Sequence, residues 1–179
     1  MSGKIVAVCR DAGNGFSKPL QDQINLIAGL GVEGDAHNGK TIQHLYLKKK
    51  DAAAPNNRQV HLMHAELFDE LEPIGFVVRP GDMGENITTR GIDLLALPIG
   101  THLTMGEASI ELTGIRNPCF QIDNFQKGLL KALIDKDDEG KPVFKSGVMG
   151  IVLRGGAVKP GDEISIDLPS DPHQPLPVI

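Results

Sequence analysis

Short runs of alternating apolar and polar residues, cut apart by glycine and proline, dominate this chain. A period of two marks a strand with one buried face, whereas a helix needs apolar residues three and four apart. Lys4 to Arg10 is instead a continuous apolar run, which predicts a strand buried on both faces with Cys9 inside it. Residues 11 to 39 are polar and glycine-rich around a short apolar segment, Ile24 to Ile27, and read as loops able to form a site. Thr41 to Leu47 alternates and predicts a further strand, followed by a solvated connection through Pro55. Val60 to Met63 predicts a strand passing into a helix on which Leu67, Phe68 and Leu71 share one face.

In the second half the turn signals recur every 8 to 12 residues, the spacing of a barrel or sandwich. His102 to Met105 and Ala108 to Gly114 predict a hairpin, with Ile110 and Leu112 opposite in direction to Glu111 and Thr113. A second helix is predicted over Phe125 to Ile134, with Leu129, Leu130 and Leu133 as its buried stripe. Two strands, GVMGIVLRGG and DEISIDL, close the domain through a Lys159-Pro160-Gly161-Asp162 turn. The expected organisation is one mainly β domain over residues 1–168 and an extended proline-rich tail over 169–179.

Composition narrows the function classes. The 21 glycines and 12 prolines among 179 residues exclude a helical bundle. A net charge of −5 leaves no global basic field for a polyanion, and 4% aromatics without tryptophan leave few stacking platforms, so nucleic acid is not an expected partner. Two cysteines are too few for a disulfide framework, and no stretch resembles a signal peptide or a membrane span. The expectation is a protein of the reducing cytoplasm that does not enter a membrane.

Three segments could carry chemistry. In GIRNPCF, Pro118 fixes its own φ and drives Asn117 toward extended backbone, so Cys119 sits on a stiff loop three residues after the cation Arg116. A guanidinium favours thiolate, the form that attacks electrophiles or binds a soft metal. The residues alone leave two readings of Cys119 open, a reactive thiolate and a small buried hydrophobe, whereas Cys9 in its apolar strand reads as inert core. In GVEGDAHNG, Asp35 and His37 lie on a sharply bent loop, where they could orient a general base, join a metal site or simply cap a turn. In PGDMGENITT, a bent loop leads into Asn86, Thr88 and Thr89, which could receive an oxyanion or satisfy the local backbone. Arg58, Arg79, Arg90, Arg116 and Arg154 stand near predicted strand ends, where a barrel could gather several over one anion. His44, His61 and His64 match no closed zinc spacing.

Taken in order, GVEGDAH, RQVHLMHAELFDEL, PGDMGENITTRGIDLLALPIGTHL, GIRNPCFQI and GVMGIVLRGGAVKPGDEI resemble the MOSC domain family, named for the molybdenum cofactor sulfurase C-terminal domain. The resemblance spans roughly Gly31 to Ile166 and implies a β-barrel of mostly antiparallel strands with a few peripheral helices. It implies the molybdenum cofactor (molybdopterin) and not pyridoxal phosphate, with Cys119 as both catalytic residue and metal ligand. Arg58, Asn86, Thr88, Arg116, Asn117 and Arg154 become its candidate binders, and Asp35 and His37 candidates for moving a proton. The implied activity is reduction of a small N-hydroxylated substrate, of hydroxylaminopurine or amidoxime type, with an external electron-transfer protein. The alternative is a non-catalytic carrier of persulfide sulfur, served by a cysteine desulfurase, or of the cofactor itself. Family reductases carry additional segments before or after the barrel, so a lone barrel is expected to hold the cofactor loosely, pair as a homodimer, or only carry it.

Overall fold

Regular alternation over residues 108–115 buries Ala108, Ile110, Leu112 and Gly114 and leaves Ser109, Glu111, Thr113 and Ile115 partly exposed, which fixes which face of that strand looks inward. A computed structural model, describing residues 2–179, shows how the other elements follow from it. In chain order these are β1 (Ser2–Cys9), β2 (Leu20–Gln21), β3 (Ile24–Ile27), β4 (Gly31–Val32), α1 (Leu45–Lys50), β5 (Val60–His64), α2 (Glu66–Leu71), β6 (Ile87–Arg90), β7 (His102–Met105), β8 (Ala108–Ile115), α3 (Gln121–Phe125), α4 (Leu129–Ala132), β9 (Ile134–Lys136), β10 (Pro142–Phe144), β11 (Val148–Arg154), β12 (Gly156–Val158) and β13 (Glu163–Asp167).

Among the described residues, seven strands close on themselves in the order β1, β13, β7, β8, β11, β5, β6. Every neighbouring pair is antiparallel except β5 and β6, which run parallel with Leu62 opposite Ile87. A parallel pair needs a long crossover, and residues 65–86, including α2, supply it. Closure removes the exposed edges that an open sheet would present. The barrel is filled by side chains such as Leu62, Ile87, Leu103, Ile110, Leu112 and Val148, all without solvent exposure. A second apolar cluster lies where Met63 meets α2, α3 and α4, with Leu67, Phe68, Ile122, Leu129 and Leu133 at its centre. That cluster anchors α3, and α3 follows the loop bearing Cys119.

Two local expectations need correction. Thr41–Leu47 is not a strand: Thr41 makes one isolated bridge to Pro55, and Leu45–Lys50 forms α1. Of its apolar residues only Ile42 is buried, while Leu45 and Tyr46 are exposed, so no sheet face required the alternation, and Leu and Lys favour helix. Of the helix expected over Phe125–Ile134 only Leu129–Ala132 forms, as α4: α3 ends at Phe125, Gly128 adopts φ +91° ahead of Leu129, and Ile134 already belongs to β9. Leu129 and Leu133 are buried as expected. The closing segments are both strands, but β12 intervenes and pairs with β3, and β13 pairs with β1 and β7 rather than β11.

The 169–179 tail is extended and packed on the barrel, with Leu176 joining the main core. Among the described residues no helix is long and apolar enough to cross a membrane.

Tight approach at Gly147 links barrel packing to the site. Its φ is +89°, and an added Cβ would lie 2.4 Å from the Leu62 carbonyl oxygen and 2.7 Å from His61 Nε2. Gly147→Ala is expected to cost about 3 kcal/mol, a fall in Tm of roughly 6–12 °C, from left-handed strain plus overpacking. Gly75→Ala, at φ +94° with nothing within 4 Å of the added methyl, is expected to cost only about 1 kcal/mol. Thermal unfolding followed by circular dichroism compares the two, and equal losses would refute the packing constraint at Gly147.

Candidate functional site

Charge is gathered at one end of the barrel by a single carboxylate. Asp35 follows β4 on a loop whose Gly34 adopts φ +73°, and its side chain is 1% exposed. Its Oδ2 accepts from Lys18 Nζ at 2.8 Å, from Asn86 Nδ2 at 3.0 Å and from the Asp11 backbone N–H at 3.3 Å. Its Oδ1 accepts from the His37 backbone N–H at 2.9 Å and lies 3.3 Å from His37 Nδ1. Burial by itself would raise the Asp35 pKa, but the His37 and Lys18 interactions outweigh it and hold the carboxyl well below the usual carboxylate range. Burial pushes the Lys18 pKa down, and Asp35 opposes that shift.

Lys18, His37 and Asn86 line one cavity of about 550 Å³ together with Arg58, Arg116 and Cys119. The walls come from the loops around Phe16, the start of α1, the residues before β5, and the loop between β8 and α3. Arg58 and Arg116 are half-buried and line the same cavity as Cys119. Burial, and then the charge of Arg116, lowers the Arg58 pKa to about 10, so it remains cationic at neutral pH. Arg116 donates from Nη1 to the Met83 carbonyl at 2.7 Å and lies 5.8 Å from the Phe16 ring centroid, a geometry that fixes it as part of the wall. Lys18 has three ammonium donors and, among the described residues, one acceptor, Asp35. The lining thus holds three cations, with one buried carboxylate paired to Lys18.

Two histidines of the lining, His44 and His61, are held neutral. Burial, and then the cations Arg58, His37 when charged, and Arg116, lower the His44 pKa to about 4. Burial and Arg116 push His61 well below its ordinary value. His61 Nε2 lies 2.8 Å from the Ser146 carbonyl, which can only accept, so the ring proton sits on Nε2 and Nδ1 is left as an acceptor.

Cys119 is partly exposed, and its thiol lies 3.6 Å from Gln121 Oε1. The buried-hydrophobe alternative for this residue is therefore not what the fold provides. Cys9 does fit the inert reading: burial and then Glu85 push its thiol up to about 12.

Of the other expected site residues, Asp35 stands behind the wall, and Asn117 lines the cavity. Asn86 has a double role, since it also bonds the Cys9 carbonyl and the His61 backbone and so ties β1 to β5. Thr88 is fully buried and donates to Glu85 Oε1 at 3.0 Å, outside the lining. Arg154 is exposed on β11, bonded to the Glu107 carbonyl, and also lies outside the cavity. Lys18 was missed in the sequence because a single lysine in a polar loop looks like any solvated surface charge; only the fold reveals that it is buried.

The MOSC domain family model matches residues 44–165. Among solved structures, the YuaD protein from Bacillus subtilis is 22% identical, with a TM-score of 0.75 over 95% of this chain and 98% of that one. YiiM from Escherichia coli is 18% identical, with a TM-score of 0.65 over 97% of this chain and 73% of that one. YiiM from Geobacillus stearothermophilus is 17% identical, with a TM-score of 0.62 over 97% and 77%. No curated protein matches the chain. At these identities the structural likeness speaks for the fold alone, whereas the family model covers well over half of the sequence. A closed mixed barrel, the ordered motifs and that match together place the chain in the MOSC domain family, which is associated with molybdenum cofactor binding.

Proposed function

We propose that the cavity binds the molybdenum cofactor, with the Cys119 thiolate as the protein's ligand to the metal, and that the protein reduces small N-hydroxylated compounds with electrons from a separate redox protein. The observation that carries this reading is a partly exposed thiol opening onto a hollow of about 550 Å³ beside Lys18, Arg58 and Arg116. The donor set fits the group: a thiolate is a soft, strongly donating ligand, and a terminal phosphate matches guanidinium forks and an ammonium with free donors. When bound, the molybdenum centre supplies the two-electron chemistry that N–O cleavage requires.

The chain's own groups have separable tasks in this reading. Arg58 and Lys18 hold the phosphate charge, and Arg116, tied to Met83 and Phe16, shapes the wall against which the ligand rests. Asp35 is a positioning residue: it is saturated with donors and stays ionised, so it orients Lys18, Asn86 and His37 rather than exchanging protons. His37, whose side chain is 32% exposed and reaches the cavity, is the group placed to pass a proton between solvent and substrate.

Expression in cells that make the cofactor, followed by elemental analysis, tests the ligand assignment. Wild-type protein is expected to carry molybdenum and Cys119→Ser to lose it; metal-free protein in both cases would end the reading, and a mass increase of about 32 Da on Cys119 without metal would mean sulfur carriage instead.

Asp35→Asn tests the positioning role. It removes one partner of a buried ion pair and is expected to destabilise the fold by about 3–5 kcal/mol at neutral pH. Because the folded-state pKa of Asp35 is depressed, its contribution is fully present above the unfolded value near ~4 and fades as pH falls through the folded value. Urea unfolding should therefore show the gap between wild type and variant narrowing below about pH 4; a gap constant from neutral pH into acid would contradict the assignment.

A further inference from the structure

Residues 177–179 reach the same cavity by a route that the motifs of the sequence do not describe. Beyond Leu112, whose backbone bonds Gly100 and Thr101, β8 keeps an open edge, and residues 177–179 occupy it. The Ile115 backbone N–H donates to the Pro177 carbonyl at 2.7 Å, and the Ile179 N–H donates to the Ile115 carbonyl at 2.9 Å, with Ile115 and Val178 in parallel register. Gly114 leaves room for this: an added Cβ there would lie 2.7 Å from the Pro177 carbonyl oxygen and 2.8 Å from the Ile179 side chain. Leu176, 6% exposed, pins the near end in the barrel core, while Val178 is 48% exposed. The far end is therefore held mainly by backbone hydrogen bonds along a strand edge.

Those bonds end on the anion-binding wall. The Ile179 carbonyl accepts from Arg58 Nη1 at 2.5 Å and from the Asn117 backbone N–H at 3.1 Å, and Ile179 itself lines the cavity. Among the described residues Arg58 pairs with no Asp or Glu side chain, and a main-chain oxygen of Ile179 holds a guanidinium whose geometry suits a phosphate. Ile179 offers Arg58 one oxygen, whereas a phosphate can offer a guanidinium two in a fork. The Ile179 oxygen keeps Arg58 partnered while the hollow is empty and is replaceable when an anion enters.

We infer that residues 177–179 form a displaceable strap over the Arg58 end of the cavity, which an incoming phosphate-bearing ligand must release from Arg58. The inference rests on the anion-binding reading of that cavity and adds its regulation: strap and ligand compete for one guanidinium, so each weakens the other by the same factor. Anything that holds the strap on β8 lowers ligand affinity, and anything that frees it raises affinity.

Inorganic pyrophosphate serves as the probe, titrated by calorimetry into wild type, a chain ending at Leu176, Gly114→Val and Arg58→Met. Gly114→Val fills the strap's seat without shortening the chain, and the shortened chain keeps the Leu176 anchor, so either variant suffices if the other fails to fold. Losing one competing hydrogen bond to a charged group should tighten pyrophosphate binding about tenfold in both strap variants, and Arg58→Met should abolish it. Hydrogen exchange at the Ile115 and Ile179 amides of the wild type should speed up on saturation with pyrophosphate. Equal or weaker binding in the strap variants, with binding still dependent on Arg58, would overturn the strap and leave the cavity reading intact. No pyrophosphate binding by any form, or binding indifferent to Arg58→Met, would overturn both.

Discussion

The carboxylate of Asp35 is the constraint on which the site depends. Five donors from three stretches of chain converge on its two oxygens: the Asp11 backbone and Lys18 from the β1–β2 connection, His37 twice, and Asn86. Each stretch is a loop with little apolar surface of its own to bury, so packing alone would not fix their relative positions. A buried anion does, because every lost donor would leave charge uncompensated in a medium that solvates it poorly. One consequence is an ammonium group, Lys18, that is 5% exposed in its side chain yet faces a hollow able to admit a ligand.

The thiol is placed by different physics. β8 delivers the chain to Ile115, Arg116 is pinned through its backbone to Gly147 and by Ser146, and Pro118 stiffens the next step. Beyond Cys119, Ile122 is buried in the second apolar cluster and anchors α3. The cysteine loop is thus strung between the barrel and a separate hydrophobic cluster, with the sulfur facing neither. Rigid supports on both sides limit the conformational entropy that the cysteine loop would lose on engaging a ligand.

The barrel's termini complete the picture. β13 closes the barrel against β1 and β7, after which the chain crosses to the far end and covers the edge that β8 leaves open. The segment that follows β13 thus reaches the cavity wall at Ile179. Phe120, 71% exposed, lines the cavity with the exposed Leu45 and Tyr46 and gives an apolar rim to a cationic interior.

Strand positions with a clear period of two, as in β8, were legible in the sequence because alternation reports directly on which side chain enters a core. So was the inert character of Cys9, since an apolar run buries whatever it contains. Thr41–Leu47 misled because its alternation had no sheet to face, and the Phe125–Ile134 helix broke at Gly128, whose left-handed backbone spacing rules do not foresee. The ordered motifs determined the family and singled out Cys119, Asp35 and His37. Only the tertiary structure decided that Lys18 is buried, that Thr88 and Arg154 lie elsewhere, and that Arg58 meets Ile179 across 121 positions of sequence. The reason is physical: local propensity and periodicity are properties of neighbouring residues, whereas burial of a charge and the sharing of a hydrogen-bond donor are settled by segments that meet only after the barrel has closed.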